Sequence, residues 1–293
     1  MRAAAGIIAG ALCLGACAPT NFGSTLPAFP IGPRATSLGS APSAIIPERI
    51  PGFVAALPRP EPSYSQEQLL RNFLSIALDA EATDDSHRAG AGVISKWASP
   101  IIYRLDNAGP NDRAQIAAYS QHLSVLTGIV FREARSGESH NMDIRFVPFA
   151  ARGAEIAALS ERGWLGPRVG QLAAEWRDSE FERCLAITTR GRSSNVTETA
   201  HIYIKAELRP IWRETCIIEE MTQSLGLLND DPRVQPSIFN DDGTYLTLTT
   251  HDEFLLRILY DRRIRPGMRS IEAAPIAAEI IQGFGLGSAG GFS

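Results

Sequence analysis

Residues 216–230 read CIIEEMTQSLGLLND. Glu219 and Gln223 are four residues apart, so on a helix they share one face, one turn apart. Glu220 then sits about 100° round the same helix. Gly226 suits the left-handed position that ends a helix, and the chain beyond it returns Asn229 and Asp230 towards Gln223. Glu219 and Gln223 thus offer oxygen donors on one face, and Glu220 beside them has a general acid or base role open to it. Two carboxylates held close raise the pKa of one of them. Oxygen donors of this kind suit Mg²⁺, Mn²⁺ or Ca²⁺ better than zinc, which favours imidazole and thiolate. No metal and no other cofactor is expected. Each residue also has a plain structural role open to it. Glu220 suits a partly buried carboxylate bonded to arginine or backbone. Gln223 can bond across the turn to the 227–231 backbone, and Thr222 can donate back to a helix carbonyl.

No other stretch competes. His87, His122, His140, His201 and His251 are scattered, and no two have ligand spacing on a helix. Residues 240–243, NDDG, read as a turn that lacks the later ligands of a calcium loop. No Gly-x-Ser-x-Gly elbow, phosphate loop or Cys-x-x-Cys pair is present.

Local patterns predict the elements that must position this segment. Ser65 and Gln68 make a capping box for a helix to about residue 82, with Leu69, Leu70, Phe73, Ile76 and Ala77 on its apolar face. Residues 96–105 read as a strand. A helix spans 111–126 and ends at Gly128. Residues 142–147 alternate as a strand, 169–181 are helical, and 185–189 and 200–205 are strands. Pro210 opens the helix to about Leu225. Thr250 with Glu253 opens a helix over 252–261, and Ser270 caps the last helix, to about Gln282. This order predicts an α+β fold, a twisted mixed sheet supporting two long helices.

The ends predict an address. Residues 1–16 carry Arg2 and a short apolar run, too short to span a bilayer, and read as a signal peptide. Leu14-Gly15-Ala16-Cys17 resembles a bacterial lipobox, which implies lipidation at Cys17 and anchoring without spanning. Ala18 follows the cysteine rather than aspartate, which points to the outer membrane, facing the periplasm. Residues 17–62 are a proline-rich tether, 63–283 the folded domain, and 284–293 a glycine-rich flexible tail. With Cys13 and Cys17 assigned to the leader and the lipid, Cys184 and Cys216 remain, and an oxidising periplasm favours their pairing. The loop so closed is worth about 3–4 kcal/mol. A net charge of −4 argues against a nucleic-acid partner.

The segment also resembles the metzincin motif, His-Glu-x-x-His-x-x-Gly-x-x-His or Asp. Laid on this chain, its ligand positions fall on Glu219, Gln223 and Asn229, its base on Glu220 and its glycine on Gly226. Upstream, QIAAYSQHLSVLTGIVFREA followed by MDIRFV is similar to the matrixin pattern. Downstream, Ser237-Ile238-Phe239 stands in the place of the methionine turn, and LTTHDEFLLRILYD resembles the closing matrixin helix. EEMTQSLGL, residues 219–227, also resembles the signature of a proteobacterial lipoprotein family known only as a domain of unknown function. The resemblance implies a zincin-like fold that has lost its zinc histidines, binding a peptide, a protein or a cell-wall component. It also implies an edge strand that pairs with extended substrate, placed by the sequence at His201. The alternative is a hydrolase using Glu220 with an oxygen-ligated metal or with Glu219.

Overall fold

The computed structural model describes residues 61–78, 92–161, 167–191, 194–240 and 243–286. The expected signal peptide, Cys17, the tether up to residue 60, and His87 lie outside the described residues, as does part of the 240–243 turn. Among the described residues no helix is long and apolar enough to cross a membrane.

Seven α-helices and five strands are described. The helices are α1 (Gln66–Leu78), α2 (Pro110–Thr127), α3 (Arg152–Glu161), α4 (Pro167–Asp178), α5 (Pro210–Gln223), α6 (Thr250–Tyr260) and α7 (Ser270–Gly283). The strands are β1 (Ile101–Asp106), β2 (Phe131–Glu133), β3 (Met142–Val147), β4 (Cys184–Arg190) and β5 (Thr197–Lys205). They form one sheet in the order β2–β1–β3–β5–β4. The first four run parallel, and β4 alone is antiparallel, paired to β5 at the sheet's end. The fold is therefore α+β with a mixed sheet.

Alternation along the strands divides the protein into two layers of core. Met142, Ile144 and Phe146 of β3 join Ile202 and Ile204 of β5 on one face, packed with buried residues of α1, α2, α5, α6 and α7. Val147, Leu185, Ile187 and Tyr203 face a smaller cluster with Trp176 of α4 and Leu159 of α3.

Local signals placed most of these elements. Ser65 N–H donates to Gln68 Oε1 at 2.9 Å and Gln68 N–H to Ser65 Oγ at 3.1 Å, the expected capping box. Gly128 ends α2 with φ +73°. Two caps shift by one residue. The cap of α6 is Thr249, not Thr250: its hydroxyl accepts from Asp252 N–H at 3.1 Å, and its own N–H donates to Asp252 Oδ2 at 3.0 Å. A distant partner sets this register, because the Asp252 carboxylate also accepts from Ser237 Oγ at 2.6 Å and Ile238 N–H at 3.0 Å. Glu253, the expected box partner, instead meets His122 Nε2 at 3.0 Å. Likewise Arg269, not Ser270, precedes α7, its N–H donating to Glu272 Oε2 at 3.0 Å.

Other differences have similar causes. The strand expected over 96–105 begins only at Ile101, because Trp97 is drawn to the end of α5. The short β2 and the alanine-rich α3 carry too few periodic apolar residues to be read locally. At the C-terminus the chain stays on the domain past residue 283. Phe284 packs on Phe254 with ring centroids 4.6 Å apart, and Gln66 Nε2 donates to the Leu286 carbonyl at 2.6 Å.

Candidate functional site

Helix α5 carries the site. Ile217, Ile218 and Met221 are buried in the main core, which turns Glu219 and Gln223 to the other side. Its C-terminus is held from three directions. Trp97 Nε1 donates to the Ser224 carbonyl at 2.8 Å, and the Tyr260 hydroxyl to the Leu225 carbonyl at 2.9 Å. Gly226 has φ +117°, and a Cβ there would collide with the Ser95 carbonyl oxygen. Only glycine permits both that dihedral and that approach.

A cavity of about 490 Å³ opens between α5, β4 and α4. Glu219, Glu220 and Gln223 line it, together with Asp230 from beyond the turn. Glu220 is 5% exposed. Gln223 Nε2 lies 3.0 Å from both carboxylate oxygens of Asp230, so its bond across the turn goes to a side chain and not to backbone. Thr222 behaves as read: its hydroxyl donates to the Ile218 carbonyl at 2.6 Å, with Tyr119 Oη 2.5 Å away.

Asn229 does not join this group. Its amide donates to the Ser75 carbonyl at 3.3 Å and its N–H to the Ile76 carbonyl at 3.2 Å, so it ties the turn to α1. Asp231 is also taken by structure. It accepts from Ser75 Oγ at 2.6 Å and from Arg233 Nε at 2.8 Å, and the Arg233 bonds hold its carboxyl well below the usual range. Of the acidic and amide residues at 229–231, only Asp230 faces the cavity. The motif overlay named Asn229 as the inward member, and the structure turns Asp230 inward instead, because an irregular turn has no period to read.

Phe239, in the place of the methionine turn, is fully buried. Its carbonyl accepts from Asp231 N–H at 2.9 Å and thereby holds the segment after Asp230.

The disulfide between Cys184 and Cys216 is present, with Cα atoms 5.8 Å apart. It joins the first residue of β4 to the middle of α5, one turn before Glu219 and Glu220, and both cysteines line the cavity. Near it the Arg183 guanidinium lies 3.9 Å from the Trp212 ring centroid, a cation–π contact.

The set implied by the motif does not fit zinc. It has no imidazole, Asn229 serves α1, and the Gln223 amide is engaged with Asp230. Among the described residues no three His, Cys, Asp or Glu side chains are grouped to hold a metal ion.

His201 is not on the sheet's edge. It sits on β5, an interior strand between β3 and β4, and the edge beside the cavity is β4. Its Nδ1 lies 3.1 Å from Asp143 Oδ2, and His140 Nε2 and Arg104 Nη2 approach Oδ1 of the same carboxylate at 3.1 and 2.8 Å. Burial alone would raise the Asp143 carboxyl. The His201 hydrogen bond and the charges of Arg104, Arg145 and His140 outweigh it and hold the pKa down at about 2. Sequence reading missed this cluster, since its members come from three strands and the loop before β3. His251 is fully buried, its Nε2 2.9 Å from Asn72 Nδ2.

A family model described as "Protein of unknown function (DUF2927)" matches residues 66–279 of the chain. No curated protein and no solved structure matches it.

Proposed function

The chain belongs to this DUF2927 family of unknown function, and from that premise we propose that it is a lipid-anchored envelope protein whose domain is a zincin-like scaffold without the zinc site. It works by binding an extended peptide, a protein segment or a cell-wall component. One observation carries the reading. α5 presents Glu219, Glu220 and Gln223 to a cleft bounded by an antiparallel edge strand, and a glycine turn brings Asp230 back beside Gln223. That arrangement supports reading the cleft as protease-like, with amide and carboxylate in place of imidazoles. Packing supports the layout without a metal: Trp97, Tyr260 and Phe239 hold the turn, and the disulfide holds strand to helix. The test is metal content of the purified full-length chain after mild chelation. No stoichiometric zinc is expected, and zinc retained at one per chain overturns the reading.

The burial of Glu220 against the cavity favours a second reading, a hydrolase with Glu220 as acid or base. It expects turnover of peptide or glycan substrates that is lost in Glu220→Gln while folding is kept. A substrate screen with Mn²⁺, Ca²⁺ and Zn²⁺ that finds no turnover removes it.

A further inference from the structure

We propose that the cleft selects a cationic extended peptide, laid along β4 with a lysine or arginine side chain directed to Glu219, Glu220 and Asp230. This rests on the binding function proposed above and names its ligand class. All seven residues of β4 line the cavity, and among the described residues this strand pairs only with β5. The cleft is therefore walled by a sheet edge, whose outward N–H and C=O groups receive an added strand. Main-chain bonding of that kind takes any extended sequence, so the side chains around it set the preference.

Those side chains are unbalanced in charge. Glu175 and Glu182 line the same cavity as Glu219, Glu220 and Asp230, making five carboxylates. Among the described residues that line the cavity only Arg183 and Arg190 carry the opposite charge, and Arg183 is stacked on Trp212; Lys205, outside the lining, attracts Glu182. The acidic excess is concentrated where α5 and its turn meet the cleft, and Glu220 there is buried. There an arriving cation is attracted more strongly than at an open surface. An acidic ligand is repelled by the same groups.

The test uses the full-length chain in detergent and a positional library of short fluorescent peptides. One central position is lysine, norleucine or glutamate against randomised β-forming neighbours, and binding is read by fluorescence polarisation. Lysine is expected to bind about tenfold more tightly than norleucine, a preference that shrinks as salt rises. Glutamate is expected to bind most weakly. Glu219→Gln and Asp230→Asn should bring the lysine pool towards norleucine affinity, and Glu67→Gln, on α1 outside the cleft, should change nothing. Equal binding of lysine and norleucine pools, or preference for glutamate, overturns the charge selection and leaves the binding function standing. Absence of binding by every pool overturns the charge selection and, with it, the peptide form of the binding function.

Discussion

Gly226 is the residue on which the geometry of the cleft turns. Its dihedral and its closeness to Ser95 both exclude a side chain, so Gly226→Ala should cost about 2–4 kcal/mol in urea unfolding. A loss below 1 kcal/mol, on the order of an ordinary surface change, would mean that the turn tolerates rearrangement. Asp143 is, with Asp231, a residue on which acid sensitivity turns. Its folded pKa, about 2, lies below the unfolded value of about 4. Its stabilisation is therefore complete above pH 4 and is lost as pH falls from about 4 to about 2. Asp143→Asn should lower stability at neutral pH by about 2–3 kcal/mol and flatten the decline across that window, measured by denaturant titration at several pH values. At this scale the sequence named Glu219, Glu220 and Gln223 correctly as neighbours, because a helix repeats every 3.6 residues. It put Asn229 in the set where the structure puts Asp230, because Ser75 on α1 decides where Asn229 goes.

At the scale of elements, the site is a contact between one helix and one strand. The pairing of α5 with β4 rests on the Cys184–Cys216 bridge as well as on packing. Replacing both cysteines with serine should cost about 3–4 kcal/mol of stability, seen as a lower urea midpoint. It should also weaken ligand binding in the cleft, because the strand and the helix lose their covalent spacing. Retained stability in the reduced protein would show that packing alone sets the spacing. The register of α6 teaches a related point. Thr249 wins over Thr250 as cap because Asp252, facing the core, collects Ser237 and Ile238 as well as the helix start. A capping motif read locally is good to about a residue, and a distant partner fixes the last step.

At the scale of the whole molecule, the domain is expected to work on a tether. Cys17→Ser should move the protein from the membrane to the soluble periplasmic fraction, checked by fractionation and by loss of labelled fatty acid. Membrane retention in that variant would remove the lipid anchor from the proposal. The arrangement of the domain itself divides into what the linear order of residues could specify and what it could not. Periodicity specified the long helices and most strands, glycine the turn after α5, and the number of cysteines the bridge. Each rests on short-range chemistry or on counting. The tertiary structure alone decided that β4, not the strand with His201, is the sheet edge beside the cleft among the described residues, that Asp230 faces the cleft, and that His140, Asp143 and Arg104 meet. Those outcomes depend on which strand pairs with which and which side chain reaches a distant partner, as Ser75 reaches Asp231 across 156 residues. No local pattern carries that information, because the competing arrangements differ only in long-range contacts.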